Sequence, residues 1–135
     1  MQDAVTLVYK ALNADTQLIN LLGGRVPSKG WNRIYNDPMA PDAKEYPRVT
    51  MFEVVNDDAN AADDEPQDSD VNIRIDYWTK DNSTIYPVCR RIKQILNNTF
   101  NACSIQLEAT MPDSETQVYH KPINVYLLLE QESED

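Results

Sequence analysis

A single histidine, His120, and two cysteines, Cys89 and Cys103, are the side chains best suited to covalent or metal chemistry in this chain. A thiol beside an imidazole can form a nucleophilic dyad, the imidazole drawing off the thiol proton. The surroundings of Cys103 argue against a dyad with His120, because the cysteine lies in a strand-like run with no helix N-terminus or neighbouring cation to stabilise a thiolate. Zinc needs several Cys or His ligands at short spacing, and two cysteines fourteen residues apart with a distant histidine do not supply them. Neither cysteine has a CxxC partner, and both fall in apolar-patterned segments, so they read as reduced core thiols. Gly23-Gly24 follows a helical pattern rather than a strand, which makes it a helix cap and not a phosphate cradle. Asp63-Asp64-Glu65 and Asp68-x-Asp70 offer hard oxygen ligands, but the central Gly and terminal Glu of a Ca²⁺ loop are missing, leaving at most diffuse cation attraction. The expectation is a protein that is not an enzyme and has no cofactor and no dedicated metal site.

Charge separates the chain more sharply than chemistry does. The net charge is -10 over 135 residues. Residues 1–56 carry six acids and six bases, and residues 71–129 carry five acids and six bases. The deficit comes from 57–70, with seven acids and no base, and from Glu130, Glu132, Glu134 and Asp135. Such runs repel themselves and have little to bury, so 57–69 and 130–135 are expected to be solvated appendages on a near-neutral body. Phosphate neutralisation requires clustered Lys and Arg, so specific nucleic-acid binding is not expected. Arg90, Arg91 and Lys93 form the one basic cluster and read as a solvated helix face. Two roles stay open for Asp57, Asp58, Asp63, Asp64, Glu65 and Asp68: a solubilising loop, or a negative field that steers docking onto a basic partner. With no apolar run of about 18 residues and no signal-peptide pattern after Met1, the expected product is soluble, has no membrane partner and stays where it is made.

The elements that would position these residues follow from hydrophobic period. Ala4, Val5, Leu7, Val8, Ala11 and Leu12 recur at helical spacing behind Asp3, which is placed to cap. Thr16 to Leu22 predicts a short further turn of helix closed by the glycines. Four of the eight prolines fall in residues 25–47, where Arg33-Ile34-Tyr35 alone suits a strand. Arg48 to Asn56 and Val71 to Thr79 alternate as strands, the acidic run joining them as a long hairpin loop. Ser83 or Thr84 is expected to cap a helix whose stripe is Ile85, Val88, Cys89, Ile92, Ile95 and Leu96. Ile105 to Met111 alternates as one strand, and Tyr119, Ile123, Val125, Leu127 and Leu129 share a face of the last. The predicted class is α+β: one domain over 1–135, with a mainly antiparallel sheet of about four strands and two helices packed on one face. The other face would carry Trp78, Tyr126 and Leu128 beside Arg74, Asp76 and Glu108, more apolar than water warrants. Aromatic preference for strands explains this blandly, and a subunit interface explains it more sharply.

In order, these segments resemble the siphophage tail completion or tail terminator family. Ile19-Asn20-Leu21-Leu22-Gly23 resembles the end of the family's opening helix, and Arg33-Ile34-Tyr35-Asn36-Asp37 with Ala40-Pro41 its short proline-bearing segment. Tyr46-Pro47-Arg48-Val49-Thr50 resembles the start of its first long strand, Val71 to Thr79 with Tyr77-Trp78 its second, and Ile85 to Leu96 the following helix. The resemblance spans essentially the whole chain; Val26 to Asn32 looks inserted, and the acidic tip is longer than the family pattern. It implies a structural virion protein, made in the bacterial host cytoplasm, that forms a homo-oligomeric ring, typically a hexamer, on the head-proximal end of a tail tube. Such a ring stops tube polymerisation and offers a docking surface, so its partners would be the tail tube protein and the head connector. On this view Arg74, Asp76, Trp78, Tyr126 and Leu128 form the subunit interface, and the acidic tip reaches the neighbouring tube or connector ring. Two alternatives stay open: a head-side closure or adaptor protein of the neck, and a free acidic protein that mimics DNA.

Overall fold

Asp3 opens the first helix through its carboxylate, which accepts the Thr6 amide at 2.8 Å, satisfying one of the donors a helix start leaves open. The computed structural model describes residues 3–27, 29–39, 45–54, 69–100 and 103–129, of which 69, 70, 128 and 129 are described by backbone alone. The helices are α1 (Ala4–Asn13), α2 (Thr16–Leu21) and α3 (Ile85–Thr99). The strands are β1 (Ile34–Tyr35), β2 (Arg48–Val54), β3 (Ser69–Thr79), β4 (Cys103–Leu107), β5 (Met111–Asp113) and β6 (Val118–Leu129). Gly23 and Gly24 take φ of +90° and +86°. The Gly24 amide reaches back to the Ile19 carbonyl at 3.0 Å, the left-handed closure expected of glycine after a helix.

The sheet runs β1-β2-β3-β6-β4, with β5 also pairing β6. The class is α+β as expected, with six strands and three helices among the described residues where about four and two were predicted. One pairing is parallel: β1 runs alongside β2 with Ile34 opposite Val49. The acidic run does join two antiparallel neighbours, β2 and β3, while residues 55–68 themselves lie outside the described residues. The strand predicted from Ile105 to Met111 is split in two. Pro122 of β6 accepts the Glu108 amide at 3.1 Å, but a proline has no N–H to return on that side, so the ladder stops there and resumes as β5.

One face of the sheet is the core floor. Val49, Met51, Ile73, Ile75, Tyr77, Ile123, Val125 and Leu127 are buried against Val8 and Leu12 of α1 and Val88, Cys89, Ile92 and Leu96 of α3. All six residues of the predicted α3 stripe are buried. The predicted cap of that helix is corrected. Asp81 caps a short 3-10 turn, Asn82–Thr84, by accepting the Ser83 amide, whereas Thr84 makes no cap hydrogen bond at the α3 start. Its hydroxyl is instead 2.8 Å from the Tyr77 phenol, giving that buried hydroxyl a polar partner.

The basic cluster is corrected as well. Arg91 reaches α2, its Nε and terminal nitrogen donating to the two carboxylate oxygens of Asp15 at 2.9 and 2.6 Å, while the same carboxylate accepts the Leu18 amide at 2.8 Å as the α2 cap. Arg90 and Lys93 stay exposed.

Both cysteines are free, Cys89 buried and Cys103 half-buried. Burial pushes the Cys89 thiol up to about 11 and raises that of Cys103. Native Cys89 is therefore expected to resist a thiol-specific disulfide reagent at pH 8, with Cys103 modified first; equal rates for both in the folded protein would contradict this packing.

Candidate functional site

Strand alternation puts Arg48 and Thr50 of β2, Asn72, Arg74, Asp76 and Trp78 of β3, and His120, Pro122, Asn124 and Tyr126 of β6 on the sheet face opposite the helices. Trp78 and His120 are directly opposed and stack, ring centroids 3.9 Å apart and 4° from parallel. The Trp78 indole donates to Thr50 Oγ1 at 3.0 Å. On its far side the Arg48 guanidinium lies 4.4 Å from the Tyr46 ring centre and 5.5 Å from that of Trp78, a cation over aromatic faces. His120 Nε2 meets Asp76 Oδ1 at 2.6 Å, and the same oxygen accepts Arg74 Nε at 3.0 Å. Arg74 extends to within 3.7 Å of Glu108 Oε2, to which the Asn124 amide donates at 2.5 Å.

The result is a continuous row, Tyr46–Arg48–Trp78–His120–Asp76–Arg74–Glu108–Asn124, in which opposite charges alternate and aromatic rings sit between them. Asp76 is buried to 6% exposure, and its carboxylate is held by Arg74 on one side and the His120 ring on the other. Tyr126, at 38% exposure, projects at the far end. Six residues along β6 separate it from His120, roughly 20 Å. At the near end Tyr46, Trp78, His120, Met111 and Thr116 line a shallow concavity of about 270 Å³.

Arg74, Asp76, Trp78 and Tyr126 thus share one face, as their spacing predicts. Leu128 holds the register position opposite Asp70 in that series, with its side chain outside the described residues. Asp57, Asp58, Asp63, Asp64, Glu65 and Asp68 also lie outside them. The contributions of His120, Arg48, Thr50 and Asn124 were not anticipated; the signal was available, since His120 and Asn124 have the same parity on β6 as Tyr126.

The chemistry open to this row is limited. His120 and a carboxylate make the orienting half of a catalytic triad, but among the described residues no hydroxyl or thiol hydrogen-bonds to His120. Cys103 is opposite Leu127 on the core face, seven residues along β6 from His120, roughly 23 Å, and on the other side of the sheet. The conjectured dyad is not assembled. No three His, Cys, Asp or Glu among the described residues gather where a metal could be held. No helix among them is long and apolar enough to cross a membrane.

A family model described as tail completion protein gp17 matches residues 6–129. The chain belongs to that family. As a tail completion family member it is a structural protein of the phage tail. Its fold is similar to that of a chain in a structure titled "Virion of native gene transfer agent (GTA) particle", with a TM-score of 0.64 and 17% identity over 96% of this chain and 100% of that one. No curated protein matches the sequence.

Proposed function

We propose that this tail completion family member forms a ring, hexameric by the family resemblance, at the head-proximal end of the tail tube, where it ends tube polymerisation and provides the head-tail joining surface. The observation that carries the proposal is the sheet face that none of the described helices covers. Its row of paired charges and half-buried aromatics is preorganised and lies open to a flat partner, and aromatics with Arg are the residues that anchor protein interfaces. Asn72 Oδ1, opposite Tyr126 in the register, is buried with no hydrogen-bond partner among the described residues and suits a donor from a neighbour. Strand β4, the last in the sheet order, offers an edge for a second chain. A head-to-tail contact closes into a ring when its rotation permits.

The subunit contacts are assigned to Arg74, Asp76, Trp78, Tyr126 and Leu128, the partners to the tail tube protein and the head connector, and the place of action to the virion neck. Electron microscopy of lysates from a phage with an early stop codon in this gene tests the role. Full heads beside detached tails of irregular or excessive length are expected; detached tails of uniform normal length would move the protein to the joining step or the head side, and normal particles would remove it from the virion. Trp78→Ala with Tyr126→Ala is expected to abolish ring assembly on tails, provided a thermal melt shows the variant folded. Tyr126→Ala alone, at an exposed position, serves if the pair is unstable. Wild-type assembly in a folded variant would overturn the interface. Deleting 58–67 is expected to lower head joining, and unchanged joining would leave the acidic segment a solubilising loop.

A further inference from the structure

On the other side of the molecule, α3 and the β4–β6 edge enclose a groove of about 590 Å³. Tyr86, Arg90, Lys93 and Asn97 line it from α3 at spacings of four, three and four, one face of the helix. Leu107 and Lys121 line it from the sheet. Its floor is apolar and unusually open for such residues: Tyr86 is 72% exposed and Leu107 43%. Its rim is cationic. Arg91 one step away is tied to Asp15, but Arg90, Lys93 and Lys121 make no ion pair or hydrogen bond among the described residues, and the Lys121 charge acts on the Cys89 thiol at the groove floor.

The complementary sequence lies in the same chain. Residues 57–68 hold Asp57, Asp58, Asp63, Asp64, Glu65 and Asp68 with no base, interleaved with Ala59, Ala61, Ala62 and Pro66. Carboxylates would meet the rim and small apolar residues the Tyr86–Leu107 strip. Within one chain this segment is anchored at Val54, level with Asn72 and Tyr126, and at Ser69, which faces Leu129. Lys121 faces Tyr77, eight residues further along β6, roughly 26 Å away at strand rise. Going out from the Val54 level, roughly 17 Å, and back to Ser69 would use most of the segment's extended length, about 50 Å, at high entropic cost. In a neighbouring copy the segment is anchored in the same way, but that copy's body can be placed so that the tip of the segment meets the groove.

We propose that the groove between α3 and the β4–β6 edge receives the acidic segment 57–68 of a neighbouring copy of this chain, linking subunits head to tail. The place of this contact in the virion rests on the ring proposed above; the groove itself is tested independently. The probe is a synthetic peptide of residues 56–70, titrated at low salt into the isotope-labelled full chain while backbone amide shifts are followed. Saturable shifts at Tyr86, Arg90, Lys93 and Asn97 are expected. Arg90→Glu with Lys93→Glu, both exposed substitutions, should weaken binding by roughly tenfold or more, and a peptide with Asp63, Asp64 and Glu65 replaced by lysine should recover it. Absence of saturable binding, or binding indifferent to the reversed charges, would overturn the proposal. So would normal rings on tails carrying the Arg90→Glu, Lys93→Glu variant. If instead the wild-type chain makes no ring on tails, the ring reading falls and the peptide titration still decides the groove.

Discussion

Replacing Asp76 with alanine is expected to lower folding stability by about 3 kcal/mol, because it leaves Arg74 and His120 on a sheet face arranged around a carboxylate that is no longer there. For a domain of this size that is a fall in melting temperature of roughly 10 °C. Asp76 Oδ1 is the one atom shared by both contacts, at 3.0 Å to Arg74 Nε and 2.6 Å to His120 Nε2, so the two losses arrive together. Asp76→Asn keeps the shape and one acceptor oxygen and should cost less than half as much. Thermal melts of the two variants check this, and equal, small losses would mean that the row is not held by its central carboxylate. Because the Trp78 stack rests on His120, the alanine variant should also alter Trp78 fluorescence in the folded protein, which a change confined to the core would not do.

The second large effect is expected at Asp15, which caps α2 and clamps Arg91 of α3 with the same carboxylate. Losing the cap costs about 1 kcal/mol, and losing a partly exposed bidentate pair about 1 more, so Asp15→Ala should lose roughly 2. Asn is as good a cap as Asp, and Asp15→Asn should therefore lose only the ion-pair half. The pair also carries a pH signature. The Arg91 hydrogen bonds hold the Asp15 carboxyl below its ordinary value of 3.8. Between the lowered folded value and the ordinary unfolded one, the unfolded chain binds the extra proton, so stability rises with pH across that interval. The Asp15 contribution is fully present above about pH 4 and is lost as pH falls through the folded value. Wild type and Asp15→Asn should accordingly differ at pH 7 and converge near pH 2; a difference that persists in acid would assign the effect to something other than the charge pair.

Much of this protein was legible from period and parity. The α3 stripe from Ile85 to Leu96 is buried as its spacing requires, because a helix has one face to hide and its position is fixed by a 3.6-residue repeat. Alternation alone assigned Arg74, Asp76, Trp78 and Tyr126 to one side of the sheet, since strand side chains change faces at every residue. The capping role of Asp3 and the glycine closure after α2 are local, set within one turn, and so were also legible. The resemblance carried by segment order agrees with the family match over residues 6–129.

What tertiary structure decided are the pairings between segments distant in sequence. Register brings His120 onto Trp78 and Asp76 across 42 and 44 residues, and nothing near His120 announces a partner. The parallel placement of β1 beside β2 depends on the course of an irregular, proline-rich stretch that has no period to read. Arg91 looked like its neighbours Arg90 and Lys93 because a run of like charges is indistinguishable until the packing of α2 against α3 sets Asp15 beside one of them, 76 residues away. Local chemistry fixes which face a residue occupies. Which other residue it meets there is settled by register and packing, whose energies are sums over the whole sheet and core, with no trace in any single segment.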